Sequence, residues 1–191
     1  MEQQKNVLVP VAEGSEEIET VSIIDTLRRA GANVTVAAVG DALEVTCSRK
    51  VKLVADVRLK DLETAQQWDL IALPGGLDGA ENLRRSEELK QLLLRQNEEG
   101  RLYAAICASP AVVLQTHGLL EGKQATCYPA ERFVSSLKLK DSIEDVVVED
   151  GNCVTSRSPG TALPFALRLV QRLYGREKAE ELAKTMLVPS F

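Results

Sequence analysis

The run Leu102–Pro110, LYAAICASP, constrains this chain more than any other stretch. Leu102–Ile106 has the length and composition of a strand buried on both faces, and Ser109-Pro110-Ala111-Val112-Val113-Leu114 reads as the start of a helix with proline in its first turn. A strand that turns directly into a helix places Cys107 on a sharp elbow. The thiol then lies at the carboxyl end of a sheet strand and the amino end of a helix, where open α/β sheets carry their chemistry. The helix's free N–H groups and positive end favour a thiolate, so Cys107 is expected to be more acidic than a free cysteine. Intracellular cysteines are more often small buried hydrophobes; the elbow favours a nucleophile here.

Around this stretch, strand-like and helix-like segments alternate. Val7–Val11 reads as a strand, Glu16–Ala30 as a helix stopped by Gly31, and Asn33–Val39 as a strand ended by Gly40-Asp41. Val45–Ala55 reads as a hairpin turning near Ser48–Lys50. Leu70–Leu73 is a buried strand running into Pro74-Gly75-Gly76, with a helix at Ser86–Glu99 stopped by Gly100. Short strands are predicted around Ala125–Tyr128, Val146–Glu149 and Val154–Ser156, and helices over about Thr161–Tyr174 and Arg176–Met186. This alternation predicts a flavodoxin-like, doubly wound, mostly parallel sheet with helices on both faces. The 191 residues suit one core, so residues 1–191 are expected to form a single domain.

Composition narrows the function classes. With 45% hydrophobic and 27% charged residues the chain is ordinary for a globular domain, and a net charge of −5 argues against binding nucleic-acid backbones. Met1–Asn6 is polar and the apolar run after it is too short for a membrane span or a signal-peptide core, so a cytoplasmic location is expected. Cys47, Cys107, Cys127 and Cys153 are widely spaced without a CxxC pair, and there is one histidine. That predicts reduced thiols and no metal site.

The histidine is a poor partner for the thiol. His117 lies ten residues beyond Cys107, roughly 15 Å along a continuous helix, and the Gly118 after it marks it as a helix C-terminal residue. Carboxylates remain, and the first strand–helix junction offers Glu13, Glu16, Glu17 and Glu19. At about 100° per residue the apolar stripe runs through Val21, Ile23, Ile24, Leu27 and Ala30; Glu19 falls on its flank and Glu17 points away. A carboxyl on a buried flank has a raised pKa, as a proton-handling acid requires. For Glu16 and Glu17, complementing the helix dipole is the better reading, and for Glu19 the two readings are level. The paired Gly75 and Gly76 let backbone approach a ligand closely, and the N–H groups of Gly76 and Ala108 are candidates for an oxyanion hole, although a plain glycine-rich turn suits them equally. Ser156–Thr161 forms a third junction at the same edge.

Taken together, GSEEIET (Gly14–Thr20), CSR (Cys47–Arg49), LPGG (Leu73–Gly76), AAICASP (Ala104–Pro110) and TSRSPGT (Thr155–Thr161) resemble the ThiJ/PfpI superfamily. Order and spacing are most similar to the branch of the parkinsonism-associated DJ-one protein and bacterial YajL-like proteins. The resemblance runs from Val7 to about Val188. It implies a flavodoxin-like homodimer with Cys107 as nucleophile, Glu19 hydrogen-bonded to it, and the amides of Gly76 and Ala108 completing the site. It also implies that Arg29 and Arg49 lie near the pocket at the dimer interface. With Gly75, Tyr128 and Glu16 these make up the expected substrate-contacting set. Activities associated with the family are a cofactor-free glyoxalase converting methylglyoxal to lactate, a deglycase acting on early glycation adducts, and redox-linked protective or chaperone roles.

In one respect the sequence departs from that pattern: Tyr128 stands where several members carry a histidine in a His-Pro pair. A phenol donates a hydrogen bond to a carbonyl but does not shuttle protons near neutrality as imidazole does. Ser109 and Ser158 replace glycines common in relatives, which narrows the pocket mouth. The leading expectation is an enzyme of small dicarbonyls using Cys107 and Glu19. Its rivals are a redox sensor or holdase without turnover, and an amide hydrolase, which lacks a histidine within reach.

Overall fold

Successive apolar residues of β1 (Asn6–Val11) enter two different cores. Val7, Val9 and Val11 pack on one face of the sheet while Leu8 packs on the other, the continuous apolar run of a strand covered on both sides. The computed structural model describes residues 4–63 and 66–189. After β1 come α1 (Glu17–Arg29), β2 (Asn33–Ala38), the antiparallel pair β3 (Glu44–Thr46) and β4 (Lys52–Val54), then β5 (Val57–Arg58) and β6 (Leu70–Leu73). Next follow α2 (Leu77–Arg85), α3 (Glu87–Glu98), β7 (Leu102–Ile106), a π-helical segment Pro110–Gln115 and the short α4 (Glu131–Val134). The chain continues with β8 (Val147–Asp150), β9 (Cys153–Ser156), α5 (Ala162–Tyr174) and α6 (Arg176–Thr185).

The main sheet runs β5-β2-β1-β6-β7-β9-β8, and only β8 is antiparallel to its neighbour. Its five central parallel strands, β2-β1-β6-β7-β9, have the flavodoxin-like order 2-1-3-4-5. Ile23 and Leu27 of α1, Phe165 and Val170 of α5 and Leu182 of α6 cover one face. Leu83 of α2, Leu89 and Leu93 of α3, and Val113 and Leu114 of the π segment cover the other. The carboxyl ends of β1, β6, β7 and β9 therefore open at one edge of the sheet, and the three junctions singled out in the sequence meet there.

Four local expectations change. Helix α2 begins where the sequence suggested only a glycine-rich turn: its Gly79 is a packing residue, since a β-carbon there would stand 2.5 Å from the backbone of Ser15. Strand β5 is too short to show a period. Ala125–Tyr128 forms no strand, because Thr126 N–H donates to the Thr155 hydroxyl (2.9 Å) and Tyr128 N–H to the Cys107 carbonyl (2.7 Å). The elbow helix is of π type and ends before His117, which lies in the turn beyond it. Among the described residues, no helix is long and apolar enough to cross a membrane.

Candidate active site

The elbow is built at a cost in backbone strain. Cys107 follows β7 with φ of 66°, a left-handed conformation that costs a non-glycine residue roughly 1–2 kcal/mol. Hydrogen bonds hold it there: Cys107 N–H donates to Ser156 O (3.1 Å), and Cys107 O accepts from Tyr128 N–H. The Ser109 hydroxyl donates to Pro74 O at 2.5 Å and ties the elbow to the β6 junction.

Helix α1 delivers the carboxyl. Glu16 is the extended N-cap, its carboxylate accepting from Glu19 N–H at 2.8 Å, while Glu16 N–H donates to Gly75 O at 2.9 Å. This fixes the first turn so that Glu19 faces inward and is fully buried. Glu19 Oε2 accepts from Gly75 N–H at 2.8 Å, and Oε1 is buried without a hydrogen-bond partner among the described residues. Gly75 can only be glycine: a β-carbon would lie 2.5 Å from Cys107 Cβ and 2.7 Å from Glu19 Oε2. The space between the thiol's own carbon and the carboxyl is thus too small for a methyl group.

Burial raises the Glu19 pKa to about 7; the Gly75 N–H opposes that rise and the nearby Glu16 charge adds to it. Cys107 is also raised, to about 12, first by burial and then by the negative charge of Glu19. The amides of Gly76 and Ala108 face the sulfur and pull the other way without prevailing. The expectation of an acidic thiol is therefore corrected: helix-end stabilisation is outweighed by burial and a neighbouring carboxylate. The two groups titrate as a pair, and a protonated Glu19 removes the repulsion that holds the thiol neutral.

This pairing makes stability depend on pH. Glu19 binds its proton more tightly when folded, so its favourable contribution is complete below the unfolded value of 4.5 and is lost as pH rises to about 7. Glu19→Gln keeps the acceptor for Gly75 and carries no charge. The variant is expected to match the wild type near pH 4 and to exceed it by about 3 kcal/mol at pH 8. Urea midpoints across that range check this; a constant difference between the two proteins would contradict it.

The structure positions the other candidates less uniformly. Glu17 does not point away: it is buried beneath the β3–β4 turn, accepting from Ser48 Oγ and from Arg49 N–H, both at 2.8 Å. Burial raises its pKa, but these bonds and the backbone N–H groups of Glu17 and Val51 together lower it on balance. Arg49 itself is exposed. Arg29 pairs with Asp25 in the last turn of α1, ten residues and roughly 15 Å along the helix from Glu19, so within one chain it does not reach Cys107. Tyr128 is beside the elbow through its backbone, with its ring edge-on to Phe133 at 6.3 Å. His117 sits against the Arg84 backbone, and burial lowers its pKa. Phe133 carries no signal in the sequence, Ser109 is legible there only as a replacement for a glycine at the pocket mouth, and Glu17 is one of the candidate carboxylates of the GSEEIET run that reads there as a partner of the helix dipole.

Comparison with known proteins finds relatives of this sequence and of its fold. The family model described as DJ-1/PfpI family matches residues 5–172. Protein DJ-1 homolog B of Arabidopsis thaliana is 56% identical over 182 residues, 95% of this chain and 41% of that protein, so the chain spans less than half the length of this plant relative. A relative in Caenorhabditis elegans, "Glutathione-independent glyoxalase DJR-1.2", is 36% identical over 97% of this chain and 98% of its own length. The solved structure "Toxoplasma gondii DJ-1, oxidized" superposes with a TM-score of 0.92 at 48% identity, covering 97% of this chain and 99% of that one.

Proposed function

This chain belongs to the DJ-1/PfpI family, and from that premise we propose that it is a cofactor-free glyoxalase of small 2-oxoaldehydes, with Cys107 as nucleophile and Glu19 as the proton carrier. The observation that carries the reading is the Glu19 carboxyl, buried beside Cys107 and raised to about 7, where both of its protonation states are populated at neutral pH. A relative that bears the name glyoxalase over nearly its whole length supports it.

On this reading the Cys107 proton passes to Glu19 and the sulfur adds to the aldehyde carbon. The N–H groups of Gly76 and Ala108, which face the sulfur, are placed to stabilise the alkoxide that forms. Once the alkoxide is protonated as a hemithioacetal, the Glu19 carboxylate removes the hydrogen of that carbon to give an enediolate, whose hydroxyl proton moves to the oxygen of the neighbouring carbon. The resulting carboxylic acid returns a proton to the neighbouring carbon, giving the lactate thioester. Water then cleaves the carbon–sulfur bond, releasing lactate and the thiol. The sum is one water added to methylglyoxal, with no oxidant or reductant. The same thiol chemistry extends to early glycation adducts.

Purified protein incubated with methylglyoxal should release lactate at a rate proportional to enzyme; methylglyoxal consumed without lactate would overturn the reading. The second reading, a redox sensor, is favoured by the near relative solved in an oxidised state, and the same assay separates it, since a sensor forms no lactate. The four free cysteines fit a reducing, cytoplasmic setting.

We further propose a homodimer. Ile18 and Val21 of α1 and Val51 and Val54 around the hairpin are exposed apolar residues on the elements that carry Arg29 and Arg49. A second copy covering them would bring its own arginines toward the cysteine edge. Sedimentation equilibrium at micromolar concentration should give the mass of two chains, and a single-chain mass would remove this role for the arginines.

A further inference from the structure

A cavity of about 310 Å³ opens between α2, the π segment and α4. Its walls are tied to the elbow from three directions. Leu77 directly follows Gly76, whose N–H faces the Cys107 sulfur. Ala111 and Val112 lie one turn beyond Ala108, with Val112 N–H donating to Ala108 O at 2.9 Å. Phe133 meets the ring of Tyr128, whose N–H is bonded to Cys107 O. Leu77 and Tyr128 are 42% and 41% exposed, leaving apolar surface beside the catalytic edge.

The charges around this cavity are already engaged with other groups. Arg84 donates to Glu81 at 2.8 and 3.0 Å, and the Arg132 guanidinium lies 4.5 Å from the centre of the Phe133 ring. The apolar part of its lining is formed by the buried Ala111, Val112 and Phe133 with the half-exposed Leu77. We propose that this cavity receives an apolar substituent on the ketone carbon of a 2-oxoaldehyde, so that aryl-substituted substrates are preferred to methylglyoxal. The proposal rests on the glyoxalase reading.

Phenylglyoxal and methylglyoxal, assayed as mandelate and lactate formation, test it. The wild type should show kcat/KM about tenfold higher for phenylglyoxal, the scale of discrimination an apolar pocket supplies. Ala111→Leu fills the floor, and Thr116→Trp, at an exposed position on the rim, occupies the cavity without disturbing the core. Each should lower kcat/KM for phenylglyoxal about tenfold and leave methylglyoxal within twofold. Equal use of both aldehydes by the wild type, or equal losses for both in the variants, would overturn the proposal. Mandelate titration by calorimetry separates the two ideas. If neither aldehyde is turned over, the glyoxalase reading fails, while mandelate binding weakened tenfold by both variants still supports the cavity as the aryl site. No mandelate binding to the wild type overturns the cavity's role even where methylglyoxal is consumed.

Discussion

Cys107→Ala is expected to lower kcat/KM for methylglyoxal by at least about a thousandfold, with Cys47→Ala, Cys127→Ala and Cys153→Ala keeping most of their activity. Loss of a covalent nucleophile removes the whole reaction path, and effects of this size are usual for such residues. The other three thiols are at most 1% exposed, and burial raises Cys47 and Cys127 to about 11 and Cys153 to about 12. The Cys107 thiol is no less raised, so acidity does not single it out. What does is its setting: a protonatable carboxyl against it, two backbone amides facing it, and a place at the open edge of the sheet. Lactate release by each variant, with circular dichroism to confirm folding, checks this. Substantial turnover by Cys107→Ala would rule out the hemithioacetal route.

Gly76→Ala is expected to cost more than about 4 kcal/mol and to abolish activity. Gly76 has φ of 85°, and a β-carbon would lie 2.2 Å from Gly14 O and 2.8 Å from Glu16 N. These are backbone atoms of the turn that caps α1, so the clash cannot be relieved by rotating a side chain. Relief would move Glu16, and with it the first turn that carries Glu19. Gly100→Ala is the control. Its φ of 67° is also left-handed, but nothing lies within 4 Å of the added carbon, so about 1 kcal/mol is expected. Urea denaturation of the two variants should separate them by about 3 kcal/mol, and similar losses would mean that the conformation, not the close approach, makes Gly76 necessary.

Several site features were legible in the chain because they depend on local patterning. The strand at Leu102–Ile106 and the cysteine after it are visible as an apolar run interrupted by small residues and proline. The inward flank of Glu19 followed from helical periodicity alone, and in the structure the residue is fully buried. The same periodicity misplaced Glu17, since it accounts for one helix and not for the β3–β4 turn that folds over its first turn. Glu16 was read as a dipole partner, and its larger effect comes from capping the helix at an angle that aims Glu19 at Gly75. His117 was dismissed on distance along an α-helix; the π segment ends before it, and it packs against Arg84.

By itself the sequence determined the layering of this protein. Apolar runs flanked by glycine and proline specify buried parallel strands, 3.6-residue stripes specify the covering helices, and both patterns are written in neighbouring residues. Only the tertiary structure decided the chemistry of the site. The Cys107 and Glu19 pKa values depend on burial and on each other's charge, and these groups are 88 positions apart. Gly75 is required because two separate segments, helix α1 through Glu19 and the β7 elbow through Ile106 and Cys107, converge on the space its side chain would fill. Electrostatic coupling and close packing act through space, so a linear pattern can nominate such residues without establishing how they titrate or what they touch.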